Sequence, residues 1–176
     1  MAVVKANYIR RGVVGNKRIK DHIRYIEHRP GKDKAKLSRT LFDSDGARSR
    51  QEAYMMIDEA EKGTYFYRFV INPDPALEDN ARDLTLREIT ERTMQQLADK
   101  LQKDASWIAA IHDDHTPLRH VHGVALLPRL LNIQDLTFLT QKATELCIGQ
   151  RHERDRAREQ QEHKRQREEE EWERER

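Results

Sequence analysis

The spacing of apolar residues divides the chain into short strands and helices. Ala2 to Ile9 (A-V-V-K-A-N-Y-I) is a strand-length apolar run closed by Arg10-Arg11-Gly12. Beyond it the apolar positions shift to Ile19, Ile23 and Ile26, one face of a helix from Lys17 to about His28 with Asn16 as cap and Pro30-Gly31 as stop. Lys32 to Asp45 reads as a basic, polar connection anchored by Leu37, Leu41 and Phe42, and Ser49 to Glu61 as a second helix ended by Lys62-Gly63. Thr64 to Ile71 (T-Y-F-Y-R-F-V-I) has the aromatic and β-branched content of a strand, and Asn72-Pro73-Asp74-Pro75 breaks it. Thr85-Leu86-Arg87-Glu88 has the form of a capping box. It opens a helix to about Lys103 that buries Leu86, Ile89, Thr93, Leu97 and Leu101. Residues 107–111 and 118–127 are apolar runs around a polar turn, and so form a hairpin. A last helix starts near Ile133 after Asn132, turns Leu136, Leu139, Ala143, Leu146 and Cys147 inward, and is expected to run on into a charged tail.

The order strand, helix, helix, strand, helix, strand, strand, helix fits an α+β fold, an antiparallel sheet covered by helices. With 176 residues, the chain suits one domain plus an extension. Hydrophobic and charged residues each make up 36%, and from Arg151 nearly every residue is charged or polar. The expected folding unit is therefore residues 1–148, with 149–176 a charged tail that could be a solvated single helix, a weak coiled coil or disorder. The net charge of +2 says little, but its distribution says more. Between Arg10 and Arg39 eleven Lys or Arg residues face only Asp21, Glu27 and Asp33, an excess that suits a polyanion. The one cysteine, Cys147, excludes an internal disulfide framework. No apolar run has membrane-spanning length and the N-terminus has no signal-peptide core, so a cytoplasmic location is expected.

The strongest candidate chemistry lies in the hairpin. His120 and His122 are two apart on one strand, so they share a face at about 7 Å, and His112 ends the facing strand. Three imidazoles converging on one sheet face can hold a divalent metal with an open position. His115 in the turn competes with His112 for the third place. Asp113 and Asp114 are placed to accept a ring N–H from a ligand histidine, and either could instead touch the metal. Imidazole donors favour Mn, Co, Ni or Zn, whereas substrate phosphate would favour Mg or Mn. A metal beside a basic surface points to phosphodiester chemistry, with water or a side chain as nucleophile. Of the tyrosines, Tyr65 and Tyr67 belong to a core strand, Tyr54 sits beside Met55 and Met56, and Tyr8 ends the first strand. Tyr25 falls off the isoleucine stripe among Lys20, Arg24, His28 and Arg29, cations suited to a phosphate and to lowering a phenol's pKa.

Three segments carry a resemblance. H-I-R-Y-I-E-H-R-P-G-K (His22 to Lys32) resembles the motif of a DNA-cleaving tyrosine on an early helix. F-Y-R-F-V-I-N-P (Phe66 to Pro73) with D-L-T-L-R-E (Asp83 to Glu88) is similar to the strand-to-helix segment of the same family. The window Trp107 to Leu126 is similar to its histidine motif. The family is that of the relaxases, or plasmid mobilisation nucleases, of the His-hydrophobic-His endonuclease superfamily, and the likeness covers residues 3–127 in order.

The resemblance implies a sheet of about five antiparallel strands with the metal histidines on a central strand. It also implies nicking of one DNA strand by tyrosine transesterification, leaving a 5′-phosphotyrosyl link and a free 3′ hydroxyl. By position, Tyr25 would be the nucleophile, His112, His120 and His122 the ligands of Mn or Mg, and Asp114 the acidic residue two places on. Lys20, Arg24, Arg29 and Lys32 would meet the DNA, single-stranded at a transfer origin, with relaxosome or mobilisation proteins as partners. A rolling-circle replication initiator, or an inactive DNA-binding accessory protein, would fit the same pattern. Seven residues separate His112 from His120, more than the family pattern leads one to expect, and a charged tail stands where relaxases usually carry an extension.

Overall fold

The computed structural model describes residues 1–28, 37–113 and 118–174. The elements are β1 (Val3–Ile9), α1 (Val13–His28), β2 (Leu41–Asp43), β3 (Gly46–Arg48), α2 (Arg50–Asp58), β4 (Tyr65–Asn72), α3 (Leu86–Leu101), β5 (Ser106–His112), β6 (His120–Leu127) and α4 (Ile133–Arg174). The strands make one open sheet in the order β1-β4-β6-β5-β2-β3, every neighbouring pair antiparallel. The protein is α+β, with helices on both faces of the sheet.

Alternation along the central strands creates two cores. Phe66 on β4, Ile108 and Ala110 on β5, and Val124 and Leu126 on β6 face one side, where Ile19, Ile23 and Ile26 of α1 and Ala53 and Ile57 of α2 cover them. Tyr67, Phe69 and Ile71, with Trp107, Ala109, Val121 and Ala125, face the other side beneath α3 and α4. Trp107 is buried there, edge-on to Phe42 at 5.8 Å. Gly123 belongs to this second face, and a Cβ on it would enter the Phe69 ring and approach the Ile108 carbonyl at 2.8 Å. Phe69 and Gly123 are cross-strand partners, so the ring fills the space that the glycine leaves.

Several expected boundaries shift. α1 begins at Val13, four residues early, because Gly12 (φ 140°) turns the chain and the Asn16 amide donates to the Gly12 carbonyl at 2.7 Å. Gly15 makes this start possible, since a Cβ there would overlap the Arg10 carbonyl. Part of the expected 32–45 connection is strand. β2 and β3 form a small hairpin in which Asp43 Oδ1 accepts from the amides of Asp45 (2.9 Å) and Gly46 (3.2 Å). With it the sheet has six strands rather than about five. Leu41 and Phe42 are buried anchors, as their apolarity predicts.

The expected capping box at Thr85 is absent, since the Thr85 hydroxyl makes no cap to its own helix. It accepts from Arg154 (2.7 Å), while Gln150 of α4 takes the Thr85 amide (2.9 Å) and donates to Glu88 (3.0 Å). The box occurs instead at Ser49 and Glu52 on α2. Asn132 caps α4 by accepting from the Asp135 amide at 2.9 Å. That helix runs unbroken into the tail; Gln150 and Arg151 are buried and most residues from His152 onward are exposed, including Trp172. Among the described residues no helix is long and apolar enough to cross a membrane.

Candidate metal centre

The hairpin register sets the site. His112 pairs with His120 across β5 and β6, and His122 pairs with Ala110, so all three side chains leave the sheet on the α1 face. Ring centroids lie 5.4 Å (His112–His120), 4.7 Å (His112–His122) and 4.8 Å (His120–His122) apart. One nitrogen from each ring falls within 4.8 Å of the others, so the three can hold a metal ion. His112 is fully buried and its partners are half-buried. His115 and Asp114 lie outside the described residues.

Backbone carbonyls orient two of the rings. His112 Nε2 lies 2.9 Å from the Ile26 carbonyl of α1, and His120 Nδ1 lies 2.9 Å from the Leu118 carbonyl. A carbonyl only accepts, so in the neutral imidazoles these nitrogens carry the protons. The lone pairs are then on Nδ1 of His112 and Nε2 of His120, the state in which imidazole binds a metal. Asp113 is exposed; its backbone carbonyl accepts from Arg82 at 3.3 Å, and among the described residues no contact joins its carboxylate to a triad ring. The donor set is thus nitrogen-only, with two of its three rings held by backbone carbonyls, and it can hold a metal ion.

A fourth imidazole, unforeseen in the sequence, adjoins the triad. His22 of α1 lies 6.2 Å from His122, edge to face, and Tyr25 stacks on His22 at 5.9 Å with 20° between the ring planes. Burial, helped by the nearby Arg68 cation, pushes His22 down from 6.5 to about 4, so its ring is neutral at neutral pH. Its position three residues before Tyr25, on the same helix face, was the available signal. Tyr25 is 42% exposed and stands one ring from the triad. Tyr8 is equally open but pairs with Tyr67 and packs on Tyr65 and Tyr67, so its ring is on the opposite face of the sheet. The Tyr54 hydroxyl donates to the Lys20 carbonyl at 3.3 Å, and the Tyr67 hydroxyl accepts from the Leu131 amide at 2.8 Å.

The cations divide differently from the sequence expectation. Lys20 pairs with Asp58 at 2.6 Å and lies over the Tyr54 ring, and Arg24 pairs with Asp21 at 3.3 Å. Arg29 and Lys32 lie outside the described residues. An open cleft of about 860 Å³ runs from the end of β1 along α1, lined in part by Arg10, Arg18, His22 and Arg68. Among the described residues none of those three arginines has an acidic partner within ion-pair distance. Arg68 is exposed on the triad side of β4, opposite Asn7 and two residues before Val70, the cross-strand partner of His122. A lone arginine inside an aromatic strand is visible in the sequence, although only the register shows which face it takes. Comparison with protein-family models, curated proteins and solved structures returns no match.

Proposed function

We propose that the protein is a metal-dependent, single-strand DNA nicking and joining enzyme of the relaxase type, acting at a transfer origin in plasmid mobilisation. The observation that carries this reading is the line of rings from Tyr25 through His22 to His122, which brings an exposed phenol beside a metal-competent triad. His112, His120 and His122 would hold a divalent ion, Mn or Mg in use, which supplies Lewis acidity to a phosphate oxygen. Tyr25 Oη attacks the phosphorus and the P–O3′ bond breaks. The phenol gives up its proton, the departing 3′ oxygen ends as a hydroxyl, and the 5′ phosphate stays on the tyrosine. The cleft beside His22 can take the strand's phosphates through Arg10, Arg18 and Arg68, cations that need no ion pair broken to do so. Relaxosome or mobilisation proteins would be its partners at the origin.

The test is incubation of the protein with denatured plasmid DNA carrying a transfer origin and Mn, then mass spectrometry for a nucleotide-modified tyrosine peptide. The expected adduct sits on Tyr25, disappears in Tyr25→Phe and persists in Tyr8→Phe. An adduct that survives Tyr25→Phe would overturn the nucleophile. Tight single-strand binding without cleavage in Mn, Mg, Co or Zn would overturn the enzyme reading in favour of an accessory DNA-binding protein.

A further inference from the structure

Residues 73–85, between β4 and α3, touch both stems of the histidine hairpin and the start of the charged tail. On one stem Arg119, adjacent to His120, donates to both carboxylate oxygens of Asp79 at 3.2 Å and to the Leu84 carbonyl at 3.2 Å. Asp79 is buried, and its Oδ1 also accepts from the Leu84 amide at 3.1 Å. On the other stem the Arg82 guanidinium donates to the carbonyl of Asp113, adjacent to His112, at 3.3 Å. Arg82 does this from a left-handed backbone (φ 54°), an unusual state for a side chain of its size.

The same segment is held from behind. Glu78, also buried, accepts from the amides of Ala2 and Asp74 at 2.8 Å each. Asp83 accepts from Arg151 at 2.7 Å and from Arg158 at 2.6 Å, and Asn80 accepts from Arg151 at 3.4 Å. Arg151 is buried although it opens the charged stretch of α4, and charge at that depth is retained only with partners. The contacts form a continuous polar chain from the tail helix through residues 79–85 to the residues that adjoin His112 and His120.

We infer that residues 79–85 act as a clamp that sets the spacing of the metal ligands, and that Arg151 and Arg158 of the charged helix hold the clamp in place. This rests on the triad binding a metal, as proposed above, and gives the first turns of the tail a role in that affinity. Arg82, Arg119, Asp79 and Asp83 are then positioning residues, acting on the ligands through the backbone of the hairpin.

Co(II) and Zn titration of the full chain by calorimetry tests the inference, with thermal unfolding measured alongside. Arg82→Gly relieves the left-handed backbone while deleting the bond to Asp113, so affinity should fall about threefold to tenfold with the unfolding temperature equal or higher. Asp83→Asn should weaken the metal by a similar factor, and Lys142→Gln, on the same helix away from the clamp, should change nothing. Metal affinities within twofold of wild type in both Arg82→Gly and Asp83→Asn would overturn the clamp while leaving the metal site intact. Wild type that binds neither ion would overturn the metal reading instead. Hydrogen exchange across residues 118–124 of the metal-free protein then still decides the clamp: faster exchange in the two variants supports it, and unchanged exchange rejects it.

Discussion

Replacing Gly123 with alanine tests whether the sheet beneath the triad is packed as tightly as its geometry requires. The glycine does not rely on an unusual backbone angle, so the effect is steric alone. The added methyl would lie 2.5 Å from Phe69 Cε1 and 2.8 Å from the Ile108 carbonyl, both well inside normal contact. Phe69 is buried and cannot swing into solvent, and the second obstacle is backbone of the neighbouring strand. Overpacking costs about 1–3 kcal/mol, and with a rigid neighbour on one side the upper end, about 3 kcal/mol, applies. For a chain of this length that corresponds to a fall of roughly 6–12 °C in Tm. Urea denaturation followed by circular dichroism measures it. Because His122 precedes the glycine on β6, a Co(II) titration of the same variant should also show weaker binding. Phe69→Leu removes the ring from the methyl's path, so the double variant should recover at least 1 kcal/mol relative to the sum of the singles. A Gly123→Ala protein within 0.5 kcal/mol of wild type, or a double variant that is merely additive, would refute the packing argument.

Ser49→Ala should cost about 1 kcal/mol in urea unfolding, because it removes a formed capping box. Thr85→Ala should cost less than about 0.5 kcal/mol, because its exposed hydroxyl bonds only Arg154 among the described residues and caps nothing in its own helix; equal losses would contradict the two geometries. His22 gives a pH signature in the metal-free protein. Its folded value lies near 4 and its unfolded value near 6.5, so the unfolded chain takes up the proton first and stability falls as the pH drops through that window. At about 1.4 kcal/mol per pH unit the loss is roughly 3 kcal/mol, absent above pH 6.5 and complete near pH 4. His22→Asn should lack this component, and an identical stability–pH curve in the variant would refute it.

The features legible in the sequence are those set by local pattern and composition. The isoleucine stripe of α1 follows from the 3.6 period, the β4 strand from its aromatic and β-branched content, and the histidine hairpin from two apolar runs around a polar turn. β2 and β3, three residues each, are too short for a period to show, so the segment reads as a connection. The two Ser/Thr-x-x-Glu segments look alike in sequence, and what separates them is Gln150 and Arg154, brought to Thr85 from far along the chain. The triad was readable because strand alternation sets its direction, whereas the Ile26 carbonyl that orients His112 comes from another element. For the same reason Lys20 looked available from composition, since its partner Asp58 comes from α2. Arg24 differs: its partner Asp21 is three residues earlier on α1.

The chain's two tryptophans occupy opposite environments, Trp107 in the core under α3 and α4 and Trp172 near the exposed end of the tail helix. Intrinsic fluorescence therefore carries two separable signals. A neutral quencher such as acrylamide should extinguish the red-shifted emission of Trp172 first and leave a blue-shifted residue from Trp107. In Trp172→Phe the remaining light reports the folded body alone, so unfolding and events at the tail can be followed in one cuvette without an added label.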